Sequence, residues 1–87
     1  MINEISLIID IDFENPEYSR IIYAALYPET KSAPTERSKA SIFLEGSRVK
    51  IQIKSHDPIS TRAAFNSYIR WISAILSTLD LVNKSTI

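Results

Sequence analysis

Residues 39–55 read KASIFLEGSRVKIQIKS, and their pattern decides the fold. Gly46-Ser47 is a two-residue turn with glycine first, the signature of a type II′ hairpin. A turn of that length sets the register. Glu45 faces Arg48, Phe43 faces Lys50, Ser41 faces Gln52, and Lys39 faces Lys54. Ala40, Ile42, Leu44, Val49, Ile51 and Ile53 then share the other face. Both strands agree on which face is apolar, so the hairpin is one half of a layered core.

Upstream, residues 5–13 read ISLIIDIDF. Ile5, Leu7, Ile9, Ile11 and Phe13 alternate with Ser6, Ile8, Asp10 and Asp12, the period of a half-buried strand. Asn15-Pro16-Glu17 follows: a cap, a residue suited to the first helical position, and an acid at the positive helix end. Ile21, Ile22, Ala25 and Leu26 repeat at helical spacing, and Pro28 is expected to end that helix near Tyr27. Residues 28–38, PETKSAPTERS, read as a polar loop, long for so small a chain. Downstream, Asp57-Pro58 starts a second helix running to about Val82. Phe65, Tyr68, Ile69, Ile72, Ile75, Leu76 and Leu79 form its apolar stripe, and the tail from residue 83 is expected to fray. The order strand, helix, strand, strand, helix predicts an α+β two-layer sandwich: two helices on one face of a three-stranded, mostly antiparallel sheet. One domain over residues 1–87 is expected.

Composition narrows the function. The chain has 87 residues, no Cys, one His and one Gly. Thiolate metal sites, disulfides and Cys nucleophiles are excluded, as are His-pair chemistry and Gly-rich phosphate loops. No metal or cofactor is expected. No run of about twenty apolar residues exists, so no membrane helix is expected. The start, MINEISLIID, carries two acids and no basic segment, unlike a signal peptide, which points to the cytoplasm. Asp10 and Asp12 share a strand face but lack a third ligand. His56 sits beside a helix cap with no partner for catalysis, and no Ser has a base near it. The chain is therefore read as a non-enzyme. Net charge is zero, yet residues 1–30 carry six carboxylates against Arg20, a net of −5, and residues 31–87 carry +5. Such asymmetry steers charged partners, or is only a mixed surface.

Three surfaces could carry function. On the second helix, Ser60, Ala63, Ala64, Ser67, Trp71, Ala74 and Thr78 form a row of small residues around one large aromatic. It suits either a partner helix or the first helix of the same chain. A second strip holds Arg62, Asn66, Arg70 and Ser73, able to grip phosphates or an acidic partner, or simply solvated. The outer sheet face shows Lys39, Arg48, Lys50 and Lys54 around Phe43, with Ile8, Asp10 and Asp12 beside them. That mixture fits a nucleic-acid surface or a dimer contact.

Two strings carry a resemblance. YPETKSAPTERSKASI covers Tyr27–Ile42, and STRAAFNSYIRWI covers Ser60–Ile72. In their order and spacing they resemble the CTAG/Pcc family, the small subunit of the KEOPS complex, over nearly the whole chain. The resemblance implies a non-catalytic subunit of the machinery that installs threonylcarbamoyl on an adenosine of tRNA. It implies docking by helices on a separate transferase subunit, homodimerisation through the sheet, help in holding tRNA, and in some relatives pairing with a second Pcc-like paralogue. Carried onto this chain, the docking surface is Ala63, Ser67, Trp71 and Ala74, with Tyr23 and Tyr27. The dimer face is Ile8, Phe43 and Lys50. Contact with tRNA or a protein partner falls to Arg37, Ser38, Arg62, Asn66 and Arg70. Two other readings stand beside it: a stand-alone RNA-binding module of KH-like layout, and a transcription-linked dimerisation domain. A KH domain needs a Gly-x-x-Gly loop, which a chain with a single glycine lacks.

Overall fold

The structure is a computed structural model and describes residues 4–31 and 38–85. Five elements follow in order: β1 (Ile5–Asp12), α1 (Pro16–Lys31), β2 (Ser38–Glu45), β3 (Arg48–Ser55) and α2 (Pro58–Ser85). The strands form one antiparallel sheet in the order β1-β3-β2. The hairpin register is the expected one, Glu45 to Arg48 through Lys39 to Lys54. Gly46 has φ +61°, while Ser47 is not among the residues of positive φ, which fits a type II′ turn and excludes type I′. The β3 strand is central and reads buried at Val49, Ile51, Ile53 and Ser55.

Both helices cover the face that carries those side chains. Ile9, Ile22, Leu26, Ile42, Val49, Ile51, Ile53, Tyr68 and Ile72 make the core. The α1 helix lies mainly over β2, and α2 over β3 and β1. The caps act as their residue types require. Asn15 Oδ1 accepts from the Glu17 and Tyr18 amides at 3.0 and 3.3 Å. Asp57 Oδ1 accepts from the Ile59 amide at 3.1 Å, and its Oδ2 from the Ser60 hydroxyl at 2.9 Å.

Two helix ends differ from expectation. The α1 helix does not stop near Tyr27; it continues to Lys31 with Pro28 inside it. Only one backbone bond is lost at Pro28, so close to the end. The Thr30 hydroxyl donates to the Tyr27 carbonyl at 2.7 Å, and the Lys31 ammonium stands 5.5 Å from the Tyr27 ring. The α2 helix runs three residues beyond Val82, to Ser85. The rest of the expected loop, residues 32–37, lies outside the described residues, as do residues 86 and 87. In α1, Ile22 and Leu26 are buried, but Ile21 and Ala25 are exposed. Their places are taken by polar residues: Ser19 and Thr30 are buried, their hydroxyls donating to backbone carbonyls.

Candidate interaction surfaces

The row of small residues lies on the flank of α2 that faces α1. A groove of about 220 Å³ there is lined by Ala25, Leu26, Glu29, Trp71, Ala74 and Ile75. Trp71 stands between the core and solvent. Its ring stands edge-on to Tyr68 at 5.3 Å and 88°, yet 40% of the residue remains exposed. Ala64 packs against the core, while Ala63 and Ala74 are exposed and Ser67 is half-buried. The first helix therefore leaves most of the row open. Tyr68, beneath Trp71, has its phenol pKa raised, first by burial and then by the Glu29 carboxylate.

Tyr23 and Tyr27 do not join this groove. Each is two residues from Ala25, which places it about 160° away around α1. They meet edge to face, centroids 5.6 Å apart at 86°, on the helix flank away from α2. Arg62, Asn66 and Arg70 are exposed on the flank of α2 opposite the Trp71 row. Arg62 and Asn66 line a second groove, about 460 Å³, with Ile5, Leu7 and Phe65. Ser38 starts β2 opposite Ser55, on the helix-covered face. Arg37 lies outside the described residues.

The outer sheet face carries all three residues expected at a dimer contact. Ile8 and Phe43 are 56% and 52% exposed, on opposite edge strands, and Lys50 sits between Asp10 and Phe43 on the central one. The β1 column is acidic and the β3 column basic. Asp10 and Arg48 form an ion pair at 3.6 Å. Asp12 Oδ1 accepts from the Ser47 hydroxyl at 2.7 Å and the Glu14 amide at 2.9 Å. Those two bonds hold its carboxyl below the usual value, with a smaller contribution from Arg48. The two aspartates thus tie β1 to the hairpin, and among the described residues no acidic or His cluster could hold a metal ion. The Asp12 bridge, and Ser19 donating to the Gly46 carbonyl at 2.8 Å, escaped sequence reading. Both depend on contacts across 27 to 35 residues.

What these residues define is a small α+β domain that presents faces, grooves and open strand edges. Among the described residues no helix is long and apolar enough to cross a membrane. A family model described as "Transcription factor Pcc1" matches residues 6–80. A protein of Pyrococcus abyssi (strain GE5 / Orsay) named KEOPS complex subunit Pcc1 is 32% identical over 71 residues, 82% of this chain and 87% of its own. The chain belongs to the Pcc1 family. Among solved structures, a chain from a crystal structure of the binary complex Gon7-Pcc1 superposes with a TM-score of 0.79. The match covers 90% of this chain and 95% of that one, at 22% identity, and speaks for the fold alone.

Proposed function

We propose that the chain is a non-catalytic, dimerising subunit of a KEOPS complex in the cytoplasm. It docks on the transferase subunit and supports threonylcarbamoyladenosine modification of tRNA. The relative named as a KEOPS subunit supports the assembly. The observation that carries the docking role is the open row on α2: Ala63 and Ala74 exposed around a half-exposed Trp71. Small residues let a second helix approach closely, and a partly buried Trp is a ready anchor. The row excludes Tyr23 and Tyr27, so docking rests on α2 and the adjoining side of α1. The outer sheet face, with Ile8, Phe43 and Lys50, is the dimer surface. The exposed Arg62, Asn66 and Arg70 are left for tRNA or a protein partner, and a second Pcc-like paralogue could replace one copy.

The test is light-scattering mass on a sizing column, for the chain alone and with the transferase of its host. A mass near twice 9.9 kDa alone, and a joint peak with the transferase, are the expected results. A chain that ignores the transferase removes the docking claim. The family description favours a second reading, a transcription-linked dimerisation domain. That reading predicts a dimer with no effect on tRNA modification. A stand-alone RNA module predicts steeply salt-dependent RNA binding by the chain alone. Gly46, the one glycine of the chain, is spent on the hairpin turn.

A further inference from the structure

Tyr23 and Tyr27 lie outside the Trp71 groove, and their surroundings point to a different surface. Around α1, Arg20, Tyr23, Tyr27 and Lys31 fall within an arc of about 80°, and neither Glu17 nor Glu29 falls inside it. That arc is the flank away from α2. Because α1 lies mainly over β2, the flank looks out over the free edge of β2. Ser19, donating to the Gly46 carbonyl at 2.8 Å, pins the start of α1 to the hairpin end of the strand. The helix therefore runs antiparallel to β2, with Arg20 toward its Leu44 end, Lys31 toward its Ser38 end, and the two tyrosines between.

The β2 strand is an outer strand of the sheet. The two-residue turn makes Glu45–Arg48, Phe43–Lys50 and Ser41–Gln52 its hydrogen-bonded pairs with β3. The Phe13 amide, donating to the Ser47 carbonyl at 2.9 Å, sets the complementary parity on the other side of β3. The amides and carbonyls of Ala40, Ile42 and Leu44 therefore point away from the sheet, along its free edge. Such edges are usually blunted by a proline, a bulge or an inward-pointing charge. The β2 strand has none of these: its register with β3 is continuous, it contains no proline, and Ala40, Ile42 and Leu44 are its inward side chains. Leu44 points inward yet is 38% exposed, and Tyr27 is 44% exposed. Among the described residues no carboxylate is paired with Arg20, Lys31 or Lys39.

We propose that the β2 edge and the Arg20–Lys31 flank of α1 together bind an extended acidic segment of a partner protein by strand addition. The segment runs antiparallel to β2. Its inward side chains are apolar beneath Tyr23 and Tyr27, and are carboxylates where they meet Arg20 and Lys31. Strand addition takes affinity from the backbone and specificity from alternate side chains. Charge selects the occupant, because Arg20, Lys31 and Lys39 border this edge against a single carboxylate of the strand, Glu45, at the turn end. A second copy fits less well. Paired antiparallel about Ile42, it would set Lys39 opposite Glu45 but bring Arg20 of each α1 toward Lys31 of the other. A nucleic acid would use the tyrosines and the cations and leave the backbone edge unpaired. The inference rests on neither the Trp71 row nor the dimer surface.

The probe is a fluorescent, end-blocked octapeptide, Thr-Glu-Thr-Val-Thr-Val-Thr-Glu, titrated with the intact chain. Antiparallel to β2 from Glu45 to Ser38, it sets both valines beneath the tyrosines, its first Glu near Arg20 and its second near Lys31. Saturable binding is expected in fluorescence anisotropy. N-methylation at its fourth and sixth residues, whose amides face Ile42 and Ala40, should weaken binding at least about tenfold; the same change at the third and fifth should not. Arg20→Gln, at an exposed position, should weaken the parent peptide about tenfold. A peptide with Gln in second place should not distinguish Arg20→Gln from the native chain. Hydrogen exchange at the Ala40, Ile42 and Leu44 amides should slow when peptide is added. No saturation up to about 1 mM peptide, or binding indifferent to the position of the methyl groups, overturns the proposal. So does slow exchange of those three amides in the free chain that is lost on dilution, which would give the edge to a second copy. Saturation by an oligouridylate, weakened by Arg20→Gln while the peptide fails to bind, overturns it in favour of a nucleic acid.

Discussion

At Gly46 the hairpin demands a backbone that L side chains avoid. Its φ is +61°, and a Cβ added there would meet nothing within 4 Å. The cost of Gly46→Ala is therefore conformational, with no steric clash to confuse it. A loss of roughly 1–2 kcal/mol is expected in urea unfolding, with an unchanged slope. Asp12 sets a second residue-scale expectation, in pH. Its folded pKa lies below the ordinary 3.8 because its charged form accepts from Ser47 and Glu14. A depressed carboxyl stabilises the fold above its unfolded pKa, and that contribution fades as pH falls from about 4 through the lower folded value. Urea midpoints measured from pH 6 down to pH 2.5 should fall more steeply in the native chain than in Asp12→Asn. Parallel curves would show that the Ser47 bridge carries no net stability. Tyr68 works in the other direction. Its raised pKa favours the neutral phenol, so its contribution is lost only as pH climbs above 10.

The elements were legible from sequence wherever a period and its punctuation coincided. The Gly46-Ser47 turn sets the hairpin register to the residue, though β2 begins one residue early, at Ser38, and Asn15-Pro16 and Asp57-Pro58 mark both helix starts. The α1 end departs from the sequence pattern because Pro28 is not a stop there. In the last turn it costs one hydrogen bond, and the contacts of Thr30 and Lys31 with Tyr27 help hold the turn. Replacing Pro28 by Ala restores an amide and removes a ring clash, and should raise the unfolding free energy measured in urea by at most roughly 3 kcal/mol. The candidate surfaces were legible as residue sets on the helix wheel, but not as sites. Whether Tyr23 joined Trp71 depended on which side of α1 the second helix packed, and one strand or helix read alone does not contain that. The α2 row makes its own prediction. Ala63→Leu with Ala74→Leu adds methylenes on an exposed surface, so the isolated chain should keep its stability within about 0.5 kcal/mol. Overpacking at a helix–helix contact costs roughly 1–3 kcal/mol. The double variant should therefore bind the transferase about 5- to 150-fold more weakly by calorimetry. Unchanged affinity would return the row to a solvent-facing role.

On the scale of the whole molecule, the second helix is longer than the sheet it covers. Twenty-eight residues of α2 span about 42 Å, against roughly 26 Å for an eight-residue strand. The excess emerges at the C-terminal end, where Leu81 and Val82 are 68% and 52% exposed, and the fold measures 55 × 21 × 19 Å. One layer of helices over one layer of sheet leaves the far side of the sheet bare. Among the described residues, Ile8 and Phe43 stand 56% and 52% exposed on that side. A two-fold partner could cover both and set the acidic β1 column of one copy near the basic β3 column of the other, an isologous arrangement that uses one patch twice. The contact would then be part apolar and part ionic, and the two parts can be separated. Ile8→Asp with Phe43→Asp puts charge into the apolar part without touching the helix-covered core, so the variant should stay folded by circular dichroism. Its light-scattering mass should drop from near twice 9.9 kDa to near 9.9 kDa. Lys50→Glu instead reverses one charge of the basic column, and should weaken the dimer in low salt but less in 0.5 M salt, where screening shortens to a few ångströms. A folded double variant that keeps the dimer mass would move the contact off the sheet face, and the β1 edge would then be the next surface to test.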